Sequence, residues 1–206
     1  MDIDHNICPD RWVIFDTETT GTLPSQDRII SFGAVGIQNM EIVPEDSFEC
    51  VVRVPYNSST VVVHGITKEQ SMREGIDEED AVRQFSDYIG DACLVGHHVD
   101  FDVIIVNHAR TRYGMPLMKN GSLDLMKLVI ALEEAGAIEP RKDPSNFRLD
   151  GLLDQYGVGK SGRHTAIGDS FLTAMIFLRL LKIGCKQHRD LLTKTIDWDI
   201  GLGRVY

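Results

Sequence analysis

Asp16, Glu18, Asp102, Asp169 and His164 are spread along the chain, yet each sits in a local pattern that could hold a divalent metal ion beside a phosphate ester. The first pair lies in WVIFDTETTG, where Val13, Ile14 and Phe15 read as a buried strand. Side chains alternate along a strand, so Asp16 and Glu18 share one face. Two acids side by side at the end of an apolar strand repel each other and lose hydration unless a cation compensates. A solvated strand end running into a Thr-Thr-Gly turn explains the same residues about as well.

The second signal is ACLVGHHVDFDVIIVNHA, a short buried strand feeding a helix that begins near Asp100. Asp102 falls in the first turn of that helix, where unpaired amides and the dipole favour an acid. Asp100 fits the capping role better, which leaves Asp102 available. The third signal, SGRHTAIGDSFLTAMIFLRLL, is a loop followed by a long helix with Ile167, Phe171, Ala174, Phe177, Leu178 and Leu181 as its apolar positions. His164 and Asp169 stand five positions apart. On a helix of ~3.6 residues per turn that is about 140° around the axis, so both could not face one ion from regular helix. His164 therefore belongs to the loop, which Gly157, Gly159 and Gly162 equip to close over a substrate. A single loop histidine is more often a surface residue, and the company of the acids is what gives this one meaning.

The elements that must position these residues follow from pattern. Strands are expected near Trp12–Thr17, Ile29–Ile37 and Phe48–Val54 as consecutive antiparallel neighbours, because their connections are short and turn-rich. Glu78–Ile89 reads as a helix, Ala92–Val95 as a strand, Asp100 to about Tyr113 as a helix, Ser122–Asp124 as a strand and Leu125–Ala135 as a helix. Glu139 to Asn146, with two prolines, reads as a surface loop, and helices at about Leu149–Tyr156 and Thr165–Ile183 follow. In STVVVHGIT, Val61, Val62 and Val63 suggest an extended apolar segment, with Gly65 allowing a tight backbone and Ile66 placed to wedge against a base. An ordinary loop under the sheet edge is the plainer alternative. Phe101 is a second candidate for contact with a base, although a core phenylalanine is the simpler reading.

Taken together and in order, FDTETTG, DRIISFGAV, VHGIT at Val63–Thr67, LVGHHVDFD, LDGLLDQYGV and HTAIGD resemble the DEDDh 3′–5′ exonucleases, the family of the proofreading epsilon subunit of bacterial DNA polymerase III. The resemblance runs from about Arg11 to Lys182. It implies a ribonuclease-H-like α/β fold, a mixed five-stranded sheet with helices on both faces. It implies Asp16, Glu18, Asp102 and Asp169 as metal ligands, His164 as general base, and Thr17 and His64 against the terminal nucleotide. Where the family commonly has His-Asn before the Phe-Asp of its second motif, this chain has His97-His98.

The chemistry of the residues agrees with that implication. Two Mg²⁺ or Mn²⁺ ions can stabilise both the attacking and the leaving oxygen of an in-line phosphoryl displacement, and hard ions take carboxylate ligands. The attacking water must lose a proton, and a histidine of pKa ~6.5 can accept one near neutrality. The substrate expected is a single-stranded or frayed 3′ end of DNA, yielding nucleoside 5′-monophosphates. RNA trimming keeps the same chemistry. Thr17 between the two acids favours the DNA-proofreading branch over the oligoribonucleases, where methionine is usual. A non-catalytic module on a decayed nuclease fold is disfavoured, because nothing would keep four mutually repelling acids in place.

Composition bounds the rest. The 206 residues are expected to form an exonuclease domain over 1–183 and a tail over 184–206 that docks on the domain or on a partner, carrying Trp198, Ile200, Leu202 and Tyr206. No clamp-binding glutamine motif is visible in that tail, so a polymerase partner has no sequence support. The first ten residues are acidic and lack an apolar run, so no secretory signal is expected, and no stretch is apolar enough to span a membrane. Cys8, Cys50, Cys93 and Cys185 are widely spaced, as suits reduced thiols in a cytoplasm. A net charge of −10 is unfavourable for gripping phosphates. The protein should therefore hold a chain end through metal ions and local contacts, with Lys160 and Arg163 as the cations placed to touch phosphate. A solvated basic pair beside a loop is an equal alternative for those two.

Overall fold

The run Trp12–Phe15 is apolar on both faces because the strand it forms is central. In the computed structural model, which describes residues 9–55 and 60–198, β1 (Arg11–Thr19) lies in the middle of a five-stranded sheet of order β3-β2-β1-β4-β5. Trp12 and Ile14 point into one core, and Val13 and Phe15 into the other. A strand covered on both sides must be continuously apolar rather than alternating. The other strands are β2 (Ile29–Gln38), β3 (Glu41–Val51), β4 (Cys93–Gly96) and β5 (Ser122–Asp124). β1 pairs antiparallel with β2 and parallel with β4, and β4 pairs parallel with β5. The sheet is mixed, as expected.

Helices α1 (Val61–His64), α2 (Lys68–Glu74), α3 (Glu78–Ile89) and α4 (Val99–Arg112) precede β5 in the chain, and α5 (Leu125–Glu134), α6 (Leu149–Tyr156), α7 (Ala166–Gln187) and α8 (Arg189–Lys194) follow it. Ala81, Val82 and Phe85 of α3 and Val103 and Val106 of α4 pack with Phe15 and Phe32 on one face. On the other, Phe177 of α7 meets Trp12 edge-on with ring centroids 5.2 Å apart, and Leu128 of α5 and Leu152 of α6 join them. Each such fully buried side chain contributes about 1.5–3 kcal/mol.

Three expectations are corrected. β3 starts at Glu41 and ends at Val51, rather than running from Phe48 to Val54. A tight hairpin turn with Asn39 at φ 50° and Met40 at φ 62° joins β2 directly to it. Its register then jumps from Val43 to Ser47 against consecutive residues Gly36 and Val35, so Pro44 to Asp46 bulge outward. An edge strand exposed to water need not be apolar, and it tolerates a proline at a bulge, which hid its first half.

Val61–Val63 are not extended but form the single turn of α1. β-branched residues favour strands, yet here tertiary contacts win: His64 is buried, its Nδ1 accepts the Ile66 amide at 3.0 Å, and Gly65 closes the turn at φ 74°. Asp100, expected as the cap of α4, lies one residue inside the helix and pairs with Lys127 at 3.0 Å. Asp124 takes over the capping: its Oδ2 accepts the Val99 amide of α4 at 3.0 Å, and its Oδ1 accepts the Met126 amide of α5 at 2.9 Å.

α7 continues past Ile183 to Gln187, and α2 and α8 are helices the sequence pattern did not suggest. Leu192 of α8 is buried, and Asp197 pairs with Ser122 at the β5 edge. Ile200, Leu202, Tyr206 and Cys8 lie outside the described residues.

Candidate active site

In open α/β sheets, ligands bind beyond the carboxyl ends of the parallel strands. β1, β4 and β5 all run toward one edge of this sheet, and Asp16 and Glu18 stand at the end of β1. They share parity with Trp12 and Ile14, so they face the side on which α7 packs. Thr17 has the opposite parity and faces α4.

What brings α7 close enough is Gly33. It is the register partner of Asp16 on β2, and a Cβ there would lie 2.0 Å from the backbone nitrogen of Ile167. Only a residue without a side chain lets the first turn of α7 rest on the sheet at that point. Ser170 fastens the contact, donating to the Gly33 carbonyl at 2.8 Å. Asp169, one residue earlier, therefore arrives beside the β1 acids. Oxygens of Asp16, Glu18 and Asp169 all lie within 4.8 Å of one another.

Asp102 comes from the other side of the sheet. Its Oδ1 accepts both the Thr17 amide at 2.9 Å and the Thr17 hydroxyl at 2.6 Å, which ties the first turn of α4 to β1 between the two acids. Thr17 is thus buried and engaged with an acid. Asp102 is not among the three whose oxygens converge, but it is the charged group that most raises the Asp16 pKa.

The electrostatics are those of a site short of positive charge. Burial, followed by Asp102, Glu18 and Asp169, pushes Asp16 well above the usual carboxylate range. Burial and then Asp169 push Glu18 up to about 7. Asp102 is also pushed up to about 7, chiefly by burial, against the lowering effect of its Thr17 hydrogen bonds. Asp169 has a buried Oδ1 with no hydrogen-bond partner among the described residues. Buried polar atoms are nearly always satisfied, so an orphaned carboxylate oxygen facing other carboxylates fits a divalent cation as its missing partner.

His164 is exposed, at φ 64°, on the segment between α6 and α7, and with Asp16, His97, His98, Phe147 and Asp169 it lines an open hollow of about 460 Å³. Its placement off the helix agrees with the spacing argument. Thr165 caps α7 through the Gly168 amide at 3.1 Å. Gly168 in turn leaves room for the loop, since a Cβ on it would lie 1.9 Å from the Gly162 carbonyl oxygen. A larger hollow of about 750 Å³ beside α8 is lined by residues from the far end of α7. None of the candidate residues lines it.

The remaining candidates are placed unevenly. His64 is turned inward: its Nε2 lies 3.0 Å from the Thr60 hydroxyl, which donates to the Thr19 carbonyl at 2.6 Å, so α1 is pinned to the end of β1. Burial lowers the His64 pKa. Ile66 and Phe101 are half-buried, while Val62 and Val63 stand exposed beside them. Lys160 pairs with Asp154 at 2.8 Å. Arg163 bonds Asp169 Oδ2 through Nη1 and Asp150 Oδ1 through Nε at 2.9 Å.

Gly33, Asp124, Asp150 and His97 were not singled out from the sequence. Asp124 had a usable signal, an acid immediately before an apolar helical run. The others act only through residues distant in the chain. His97 has a buried Nδ1 with no hydrogen-bond partner among the described residues, and burial brings its pKa down to about 4. His98 sits at φ 63° as the residue before α4, a left-handed position that asparagine adopts readily and histidine less often.

Residues 13–177 match the family model described as exonuclease, RNase T. DNA polymerase III PolC-type from Pediococcus pentosaceus is 32% identical over 174 residues, covering 84% of this chain and 11% of that protein. The PolC-type enzyme from Caldanaerobacter subterraneus is 32% identical over 200 residues, covering 94% of this chain and 13% of the relative. The chain thus spans only about an eighth of the length of these relatives. Among solved structures, E. coli Exonuclease I in complex with a dT13 oligonucleotide superposes with a TM-score of 0.74 at 22% identity, over 90% of this chain and 43% of that one. That likeness establishes a shared fold, the ribonuclease-H-like one. With the family match extending across the sheet, the acid cluster and most of α7, the chain belongs to the exonuclease family, as a member of the DEDD type.

Proposed function

We propose that the protein is a divalent-metal-dependent 3′–5′ exonuclease that removes nucleoside 5′-monophosphates from single-stranded or frayed ends of DNA, in proofreading or repair. The observation that carries this is the convergence of Asp16, Glu18 and Asp169 oxygens within 4.8 Å beside the orphaned Asp169 oxygen. Asp16, Glu18 and Asp169, with Asp102 behind Thr17, would hold Mg²⁺ or Mn²⁺. Two such ions would supply charge neutralisation for the phosphoryl displacement.

His164 stands at the rim of the same hollow, where its exposed ring can take the proton of the attacking water. Ile66 and Phe101, half-exposed, and the neighbourhood of His64 and Thr17 offer contact to the terminal nucleotide. An unstacked base regains part of its lost contact against such apolar surfaces. Arg163 and Lys160 are the cations of the loop that a phosphate would meet. Relatives named DNA polymerase III and a fold neighbour bound to dT13 favour DNA as substrate, as does Thr17 between the two acids. RNA is the alternative substrate for the same chemistry. A polymerase partner, as the relatives' names suggest, would offset the weak grip expected of a chain with net charge −10.

The test is a degradation ladder. Incubated with Mg²⁺ or Mn²⁺, 5′-labelled single-stranded DNA should shorten stepwise from the 3′ end, mismatched duplex more slowly and RNA least. Internal cuts, shortening from the 5′ end, or activity that survives a chelator would reject the proposal.

A further inference from the structure

Arg163 bridges two carboxylates, one of them inside the acid cluster. Its Nη1 bonds Asp169 Oδ2, and its Nε bonds Asp150 Oδ1 at 2.9 Å. Among the described residues it is the only cation ion-paired with any of the four acids, Asp16, Glu18, Asp102 and Asp169. Asp169 itself is only 8% exposed, and its second oxygen has no hydrogen-bond partner among the described residues. The guanidinium therefore stands where the cluster's missing positive charge belongs. The next residue in the chain is His164, exposed and with a left-handed backbone.

We infer that Arg163 is a positioning residue, an internal cation that ties its segment to Asp169 and whose displacement by a divalent ion frees the segment that carries His164. The inference rests on the proposed metal dependence. A guanidinium stays protonated at any working pH, so it cannot let go by losing a proton. Its planar fork can serve two carboxylates at once, which a lysine ammonium at one point in space does less well. A doubly charged ion on Asp169 Oδ1 would compete with the guanidinium on Oδ2 for the charge of the same carboxylate. Once displaced, Arg163 keeps Asp150 as its anchor, and the segment that carries His164 loses one of its ties to α7. The base is thereby free to reach a substrate only in protein that already holds its ion. The protein gains a coupling between ion occupancy and loop position, at the expense of apparent affinity for the ion. A site that is open one-tenth of the time binds about tenfold more weakly than one always open.

The experiment uses the full chain without nucleic acid. Mn²⁺ affinity is measured by titration calorimetry, and amide hydrogen exchange of residues 160–165 is followed with and without Mn²⁺. In the wild type, saturating Mn²⁺ should speed exchange in that segment. Arg163→Gln should exchange fast with or without Mn²⁺ and bind the ion about tenfold more tightly. Arg163→Lys keeps the charge but not the fork; it should exchange like Arg163→Gln with an intermediate affinity, and it stands in should the glutamine variant fail to fold by circular dichroism. Tighter binding in Arg163→Gln with wild-type exchange behaviour would reduce Arg163 to a mere neighbouring charge and overturn the inference, as would unchanged affinity. A wild-type protein that binds no Mn²⁺ would instead overturn the metal-dependent reading beneath it.

Discussion

The acids of this site and His164, its proposed base, are held in opposite ways. Asp16 and Glu18 extend from a central strand buried on both faces, and Asp169 comes from a 22-residue helix pressed onto the sheet at Gly33. His164 lies on an exposed segment that reaches the cluster through the Arg163 ion pairs and the contact of Gly162 with Gly168. A carboxylate cluster must be rigid, because mutually repelling groups relax apart if their scaffold allows it. A general base must reach a substrate that comes and goes, which an exposed loop permits. Under the proposed function, that division would separate ion binding from proton transfer along the chain.

The sharpest way to break that comparison is to mutate one residue of each half. Asp169→Asn should abolish turnover together with calorimetric Mn²⁺ binding. His164→Ala should leave Mn²⁺ binding intact while lowering kcat by about 100- to 10,000-fold, the usual contribution of a positioned proton acceptor. Full activity in the alanine variant, or loss of ion binding in it, would merge the two halves into one.

Gly33→Ala probes how rigid the acid half must be. The added methyl collides with backbone rather than with a pliable side chain. Stability should fall by about 1–3 kcal/mol, as for overpacked cores, and α7 should lift from β1. Thermal melting together with Mn²⁺ titration checks this: both should weaken. A variant with wild-type melting and wild-type ion affinity would mean that the close approach at Gly33 does not set the position of Asp169.

The smallest expected effect is on pH dependence. Glu18 and Asp102 are pushed up to about 7, mainly by burial. An acid whose pKa is raised by folding favours the folded state when protonated. That stabilisation is complete below the ordinary carboxylate pKa of ~4 and is lost as pH rises through about 7. The ion-free protein should therefore melt at progressively lower temperature between pH 5 and pH 8, and saturating Mg²⁺ should flatten the decline, since the ion takes the place of the protons. A decline of equal slope with and without Mg²⁺ would mean that the cluster is not its origin.

Much of this was legible in residue order. β1, β2 and the helices at α3, α5 and α6 follow directly from apolar runs and periodicity, because burial on one or two faces leaves a local imprint. β3 did not, since its exposed edge places no demand on half of its residues, and α1 did not, since its turn depends on where the His64 ring is buried. The five chemical residues were legible as types within motifs. Their mutual geometry was not: the parity of β1 puts Asp16 and Glu18 on one face, but nothing local says that α7 will lie against that face.

By itself the sequence determined which side chains could do chemistry, that Asp16 and Glu18 point the same way, and that His164 stands off the helix carrying Asp169. These depend on the period of a strand or a helix, which is a property of neighbours in the chain. The tertiary structure alone decided that Gly33 is the seat of α7, that Asp102 reaches the site through Thr17, that Asp124 rather than Asp100 caps α4, and that Arg163 occupies Asp169. Each of these joins residues far apart in sequence, and only the packing of the two cores against the sheet brings them within hydrogen-bond reach.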